Sequence, residues 1–323
     1  MPYWQVVTGS FAIAWRHKYL WLLAIFAGEG GGSGFSYSGP PPGTSTEQTP
    51  PNFSAIPEQV QSWLGQHLGL VVAVIVLSIL LAVTLFVLSA VCEGALVRAS
   101  AEHDADRPFG LSQAWRSGVA RMGTIIRFRL LLIALGLPAL VVVVALIAGF
   151  VAAIVNRSVG VAVIIGLFGF LVLLAAIVYG IYLSFLDRLG TRAAVLEQRG
   201  AMASLARGHR LLVKRLARVL LVWLLSIAVS LVVGICAGIV LGVLSLPVIG
   251  AGIATYSGGS AAYWLVIAVS APILLAAGLV VGGFVGAQSS TYWTLAFRRL
   301  ELDQPPAFGQ LYQATPPVSP SAS

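Results

Sequence analysis

The chain has 323 residues, of which 58% are hydrophobic and 9% charged, and a mean hydropathy of +0.93. A water-soluble domain carries roughly 25% charged residues to keep its surface wet, so this composition excludes an ordinary soluble fold. The formal charge of +8 accompanies no recognition motif for nucleic acid; Lys and Arg collect in the cytoplasmic loops of membrane proteins, so membrane lipid is the expected partner and nucleic acid is not.

The first element is an amphipathic helix with Trp4, Val7, Phe11 and Trp15 on one face. Arg16-His17-Lys18 follows, then the apolar run Tyr19–Gly28, too short alone to cross ~30 Å of hydrocarbon unless extended, tilted or re-entrant. Residues 29–57 are first Gly-rich and then Pro-, Ser- and Thr-rich; they cannot bury a core and are expected to form a flexible extracytoplasmic loop. Residues 69–91 form the first apolar run long enough to span. A second amphipathic stretch places Leu111, Trp115, Val119 and Met122 opposite Gln113, Arg116 and Arg127. Spans at 130–155, with a kink expected at Gly136 and Pro138, and at 160–186 come next. The third amphipathic stretch sets Met202, Leu205, Val213 and Leu216 against a basic stripe of Arg207, Arg210, Lys214 and Arg218. It precedes the last two spans, 218–245 and 262–288, and a Pro/Ser-rich tail, 304–323, expected to be disordered in the cytoplasm.

Charge placement tests this topology. If both termini are cytoplasmic, 18 of the 19 Lys and Arg residues lie on the inside and Arg157 alone lies outside. The 29–68 segment has no Lys or Arg, which favours crossing or deep insertion by Tyr19–Gly28. The expected fold is therefore an all-α transmembrane bundle of about six spans, one helical domain over residues 1–303. Each amphipathic stretch precedes a pair of spans, and Ala14-Trp15-Arg16 recurs as Ala114-Trp115-Arg116. Three units of interfacial helix plus hairpin follow from this pattern.

Small residues recur every fourth position at Gly234, Gly238 and Gly242, and again at Gly278, Gly282 and Gly286. Such stripes let another backbone approach closely and predict a tight final hairpin or an oligomer face. Cys92 and Cys236 read as small packing residues. Ionisable residues near the spans, Glu93, Arg129 and Asp187, fall at span ends, where they would reach water. The run Glu102-His103-Asp104-Ala-Asp106 reads as a solvated turn. No catalytic constellation, phosphate-binding loop, cofactor motif or metal set emerges, so an enzyme is not expected.

The segments Ala-Trp-Arg-His-Lys-Tyr-Leu-Trp-Leu-Leu (14–23), Arg-Ala-Ala-Val-Leu-Glu (192–197), Arg-Gly-His-Arg (207–210) and Tyr-Trp-Thr-Leu-Ala-Phe-Arg-Arg-Leu (292–300) carry a resemblance. The chain resembles uncharacterised bacterial polytopic proteins related to the membrane domain that precedes some glycerophosphoryl diester phosphodiesterases. That resemblance implies a bacterial cytoplasmic-membrane location. It does not imply phosphodiester hydrolysis, because the soluble catalytic barrel is missing from this sequence. The expectation is a non-enzymatic protein that organises anionic lipid, protein partners or further copies of itself. A channel or transporter of a small or lipidic substrate is the alternative.

Overall fold

A computed structural model describes residues 3–28, 66–256 and 261–301. The expected outer loop (29–57) and tail (304–323) lie outside the described residues. Regular structure within them is entirely helical: α1 (Tyr3–Arg16), α2 (Tyr19–Ala27), α3 (Leu68–Asp104), α4 (Leu111–Val155), α5 (Val159–Leu196), α6 (Ala201–Lys214), α7 (Leu216–Tyr256) and α8 (Ala261–Glu301). Five of these, α3, α4, α5, α7 and α8, are long and apolar enough to cross a membrane.

The five outrun a bilayer. At 1.5 Å per residue the 37 residues of α3 reach about 55 Å, against ~30 Å of hydrocarbon. Burial shows where the surplus goes. Buried side chains concentrate at one end of the molecule, at 90–102 of α3, 114–128 of α4, 185–196 of α5 and 287–300 of α8, together with α1, α2 and α6. We call this end the base and the opposite end the tip. The most apolar stretch of four of the five long helices holds no buried residue at all. Apolar side chains facing lipid tails forgo no hydrophobic gain, so the tip halves need no core of their own.

The base is threefold in plan. The three helices descending to it, α3, α5 and α8, touch one another at its centre, and the first helices of each unit wrap outside: α4 on α3, α6 on α5, and α1 and α2 on α8. Gln288 of α8 donates from Nε2 to Ser10 Oγ of α1 at 3.2 Å, which brings the two ends of the described chain to the same end of the molecule.

The units differ from the expected pattern in two ways. The second amphipathic stretch is no separate interfacial helix, since α4 runs unbroken from Leu111 through Gly136 and Pro138 to Val155. Only α1 and α6 are set off, by turns at His17 and Arg215. The nine residues of α2 span only about 14 Å and stop at Gly28, whose left-handed φ of 75° ends the helix. Its last residue lies beside Ser89, 21 residues from the tip end of α3, and α2 by itself is shorter than the ~30 Å of hydrocarbon.

The amphipathic helices dock only partly by the face their large residues mark: Val7 is buried and Phe11 and Leu205 are half-buried, while small residues make the closest approaches. Ser10 and Ala14, Ala114 and Gly118, and Ser204 and Gly208 are buried, whereas Trp4, Trp15, Trp115, Met202, Val213 and Leu216 are exposed. Each buried pair is small-xxx-small, and it brings two backbones together. A Cβ on Gly118 would sit 2.2 Å from the Val91 carbonyl oxygen, and one on Gly208 would lie 3.3 Å from the Gly190 nitrogen. The expected glycine stripes behave otherwise. Gly234, Gly238, Gly242 and Gly278 have no neighbouring element within 4 Å of a Cβ position, so they do not hold α7 to α8. Gly282 is half-buried and Gly286 buried, and a Cβ on Gly283 between them would lie 2.8 Å from the Trp21 carbonyl oxygen of α2. Cys236 is likewise exposed, and only Cys92 packs within the chain.

Gly118→Ala is expected to destabilise the purified protein by about 1–3 kcal/mol, through a forced shift against a backbone carbonyl. Thermal melting in detergent should show a lowered midpoint for Gly118→Ala and an unchanged one for Gly238→Ala. Equal midpoints would contradict the backbone contact.

Candidate functional site

The base offers its most distinctive surface on α6. Seen down its axis, the helix has three sectors. The first, Ser204, Gly208, Leu211 and Leu212, packs inward on α5. The second is exposed and apolar, with Met202 and Val213, and is continued by Leu216 at the start of α7. The third is basic. Of the four residues in the stripe, Arg207 is half-buried and donates from Nε to Glu197 Oε1 at 3.1 Å, and Glu197 also accepts from Arg199 through Oε2. Arg210 and Lys214 are exposed, as is Arg218 on the first turn of α7. Exposed apolar residues continue around the base on α4 (Leu111, Trp115, Val119, Met122) and α1 (Trp4, Trp15), beside the exposed cations Arg16, Lys18, Arg116 and Arg127.

Inside this rim lie three polar knots. The first closes the end of α2. Arg129 pairs with Glu93 and donates to Ser89 Oγ at 3.0 Å and to the Ala27 carbonyl at 3.3 Å, while Ser89 itself donates to that carbonyl at 3.0 Å. A helix end leaves carbonyls without partners, and here α3 and α4 supply the donors. Glu93 is 3% exposed, so it is not the solvated span-end group the sequence suggested.

The second knot is the run expected to be a solvated turn. Glu102 is buried and pairs with Arg98 at 2.8 Å and Arg107 at 3.5 Å. Asp104 pairs with Arg298 of α8, which also donates to the Ala101 carbonyl at 2.9 Å. The His103 ring stacks on His17 with centroids 3.6 Å apart and planes 9° from parallel. Tyr19 donates its hydroxyl to the Phe109 carbonyl at 3.1 Å, so its oxygen accepts from His103 Nε2 at 2.6 Å, which places that ring's proton on Nε2. Burial and the neighbouring His17 push His103 down to about 4; burial and Arg16 lower His17 as well. The described residues contain no group of His, Cys, Asp and Glu fit to hold a metal ion.

The third knot lies where the central helices meet. Ser100 and Thr291 share a hydrogen bond of 3.0 Å, and Arg188 lies 4.8 Å over the Trp293 ring. Close packing of two of the descending helices against α4 has a signal in the sequence: glycines recur at 94, 190 and 286, in equal steps of 96 residues, and all three are buried. A Cβ on Gly94 would meet Ile125 at 2.8 Å, and one on Gly190 would meet Phe128 at 2.3 Å.

Fold and surface together define a polytopic helical membrane protein. The chain belongs to a family of unknown function, DUF7544, whose model matches residues 11–296. Neither a curated protein nor a solved structure matches it.

Two outcomes follow from the knots. Glu93→Ala leaves Arg129 in a largely buried site without its carboxylate, a loss of about 3 kcal/mol at the lower end for broken buried pairs; limited proteolysis should show α1 and α2 released early, with the double change Glu93→Leu/Arg129→Met milder. The His103 ring is held neutral by the fold, so its contribution to stability is complete above the ordinary imidazole value near 6.5 and is lost as pH falls towards about 4. Melting midpoints should therefore fall across that interval in the wild type and fall less in His103→Gln; parallel curves would contradict the assignment.

Proposed function

We propose that this is a non-enzymatic integral protein of the bacterial cytoplasmic membrane. In this reading the base and both termini face the cytoplasm, and the base gathers anionic lipid or protein partners. The observation that carries the reading is the split outer surface of α6 and the first turn of α7. An exposed apolar sector adjoins an exposed basic one, the arrangement of a helix lying in the plane of the headgroups. The apolar side chains reach the acyl boundary while Arg210, Lys214 and Arg218 meet phosphate, each worth about 1 kcal/mol near an anionic leaflet. The concentration of Lys and Arg towards the base supports the orientation. The open glycine face of α7 supports pairing with a second copy. The relation to the membrane domain of glycerophosphoryl diester phosphodiesterases belongs to the same proposal and is supported by the sequence segments that carry it.

Lipid selectivity of the purified protein tests this reading. Wild type in mixed micelles should prefer phosphatidylglycerol over phosphatidylcholine, and reversing Arg210, Lys214 and Arg218 to Glu should cut that preference about tenfold or more. Equal retention of both lipids by wild type would contradict it.

A further inference from the structure

A cleft of about 760 Å³ opens at the tip between α4 and α5, far from the base. Phe150, Ala153, Gly166 and Phe170 line it together with Arg157. Its size falls within the range of small-molecule sites, and its walls are apolar except at that one residue. Arg157 stands on the three-residue turn joining the two helices, exposed and with a left-handed φ of 53°. The turn is fixed from below, since Ser158 donates both its amide and its hydroxyl to the Ala153 carbonyl.

Arg157 is the only Asp, Glu, Lys or Arg among the described residues of the tip halves, 66–89, 130–184, 219–256 and 261–286. It makes no ion pair among the described residues. A lone guanidinium over an apolar cleft has a defined complement, an acyl chain that ends in a phosphodiester, because the fork of donors on Arg matches phosphate oxygens. No carboxylate among the described residues of the tip halves stands ready to receive a headgroup ammonium. The match is thus to a headgroup with a net negative charge.

We propose that the α4–α5 tip cleft binds one anionic phospholipid, with an acyl chain between Phe150 and Phe170 and its phosphate on Arg157. The site rests on the reading of the chain as membrane-spanning, and it does not depend on which side the base faces or on the basic surface of α6.

Native mass spectrometry of the full chain, titrated with phosphatidylglycerol or phosphatidylcholine, tests it. Wild type should take up one phosphatidylglycerol in a distinct tight step. Arg157→Asn, chosen because Asn tolerates the left-handed turn, should weaken that step about fivefold, the worth of one cation against anionic lipid. Gly166→Leu fills the cleft against Phe150, which a Cβ already meets at 3.3 Å, and should abolish the step while leaving Arg157 in place. Reversal of Arg210, Lys214 and Arg218 should leave it intact, so failure of the base reading and failure of this one are separable. A tight step that survives both tip changes, or that disappears only with the base changes, overturns the proposal. Arg157→Asn alters an exposed turn residue, so its result stands even if Gly166→Leu fails to fold.

Discussion

The structure depends on backbones approaching one another in the base. Each of three amphipathic segments turns a small pair inward, Ser10/Ala14, Ala114/Gly118 or Ser204/Gly208, and lays it on a descending helix. At Gly118 the neighbour is the Val91 carbonyl, and at Gly208 it is the backbone of Gly190. No larger side chain fits these crossings without displacement. Val7, Leu211 and Leu212 turn inward with the small residues, and the other large apolar residues, Trp4, Trp15, Trp115, Met202 and Val213, are left outside beside the cations. The packing that holds the base together thus also creates its surface.

The tip halves obey a different rule. Water would force their Val, Leu and Ile side chains into a core, whereas lipid does not. The long helices can therefore part above the base without loss. Charge follows the same division. Glu93, Glu102 and Asp104 are each matched to an arginine, and the matches join separate elements: α3 to α4 through Glu93 and Arg129, and α3 to α8 through Asp104 and Arg298. Burial makes each of these pairs expensive to half-remove. They fix which helices meet, and the short helix α2 is held at its end by one of them.

Much of this was legible from the sequence, and the rest was hidden for physical reasons. The five long helices announce themselves by length and apolarity, and the three amphipathic segments by period. The direction in which those segments dock follows only in part from hydrophobicity, because Val7, Leu211 and Leu212 turn inward while Ser, Ala and Gly make the closest approaches and several larger residues are exposed. The same bias made Gly234, Gly238 and Gly242 look like a packing seam, although glycine in a membrane helix can equally face outward. Evenly spaced Gly94, Gly190 and Gly286 were a better guide, since equal spacing across three units is harder to obtain by chance than a local run. In the base surface, Arg210, Lys214 and Arg218 are exposed, whereas Arg207 is drawn inward by Glu197, a partner just past the end of α5 that the helical period of the stripe does not reveal.

The central claim is that three units close into one base, with the first helix resting on the last. Ser10→Cys and Gln288→Cys, introduced together after replacing Cys92 and Cys236, place thiols at two side chains now joined by a 3.2 Å hydrogen bond. Mild oxidation in native membranes should give a fast-migrating, intramolecularly linked monomer that reverts on reduction. An absence of cross-linking, or a product formed only between chains, would contradict the closed base.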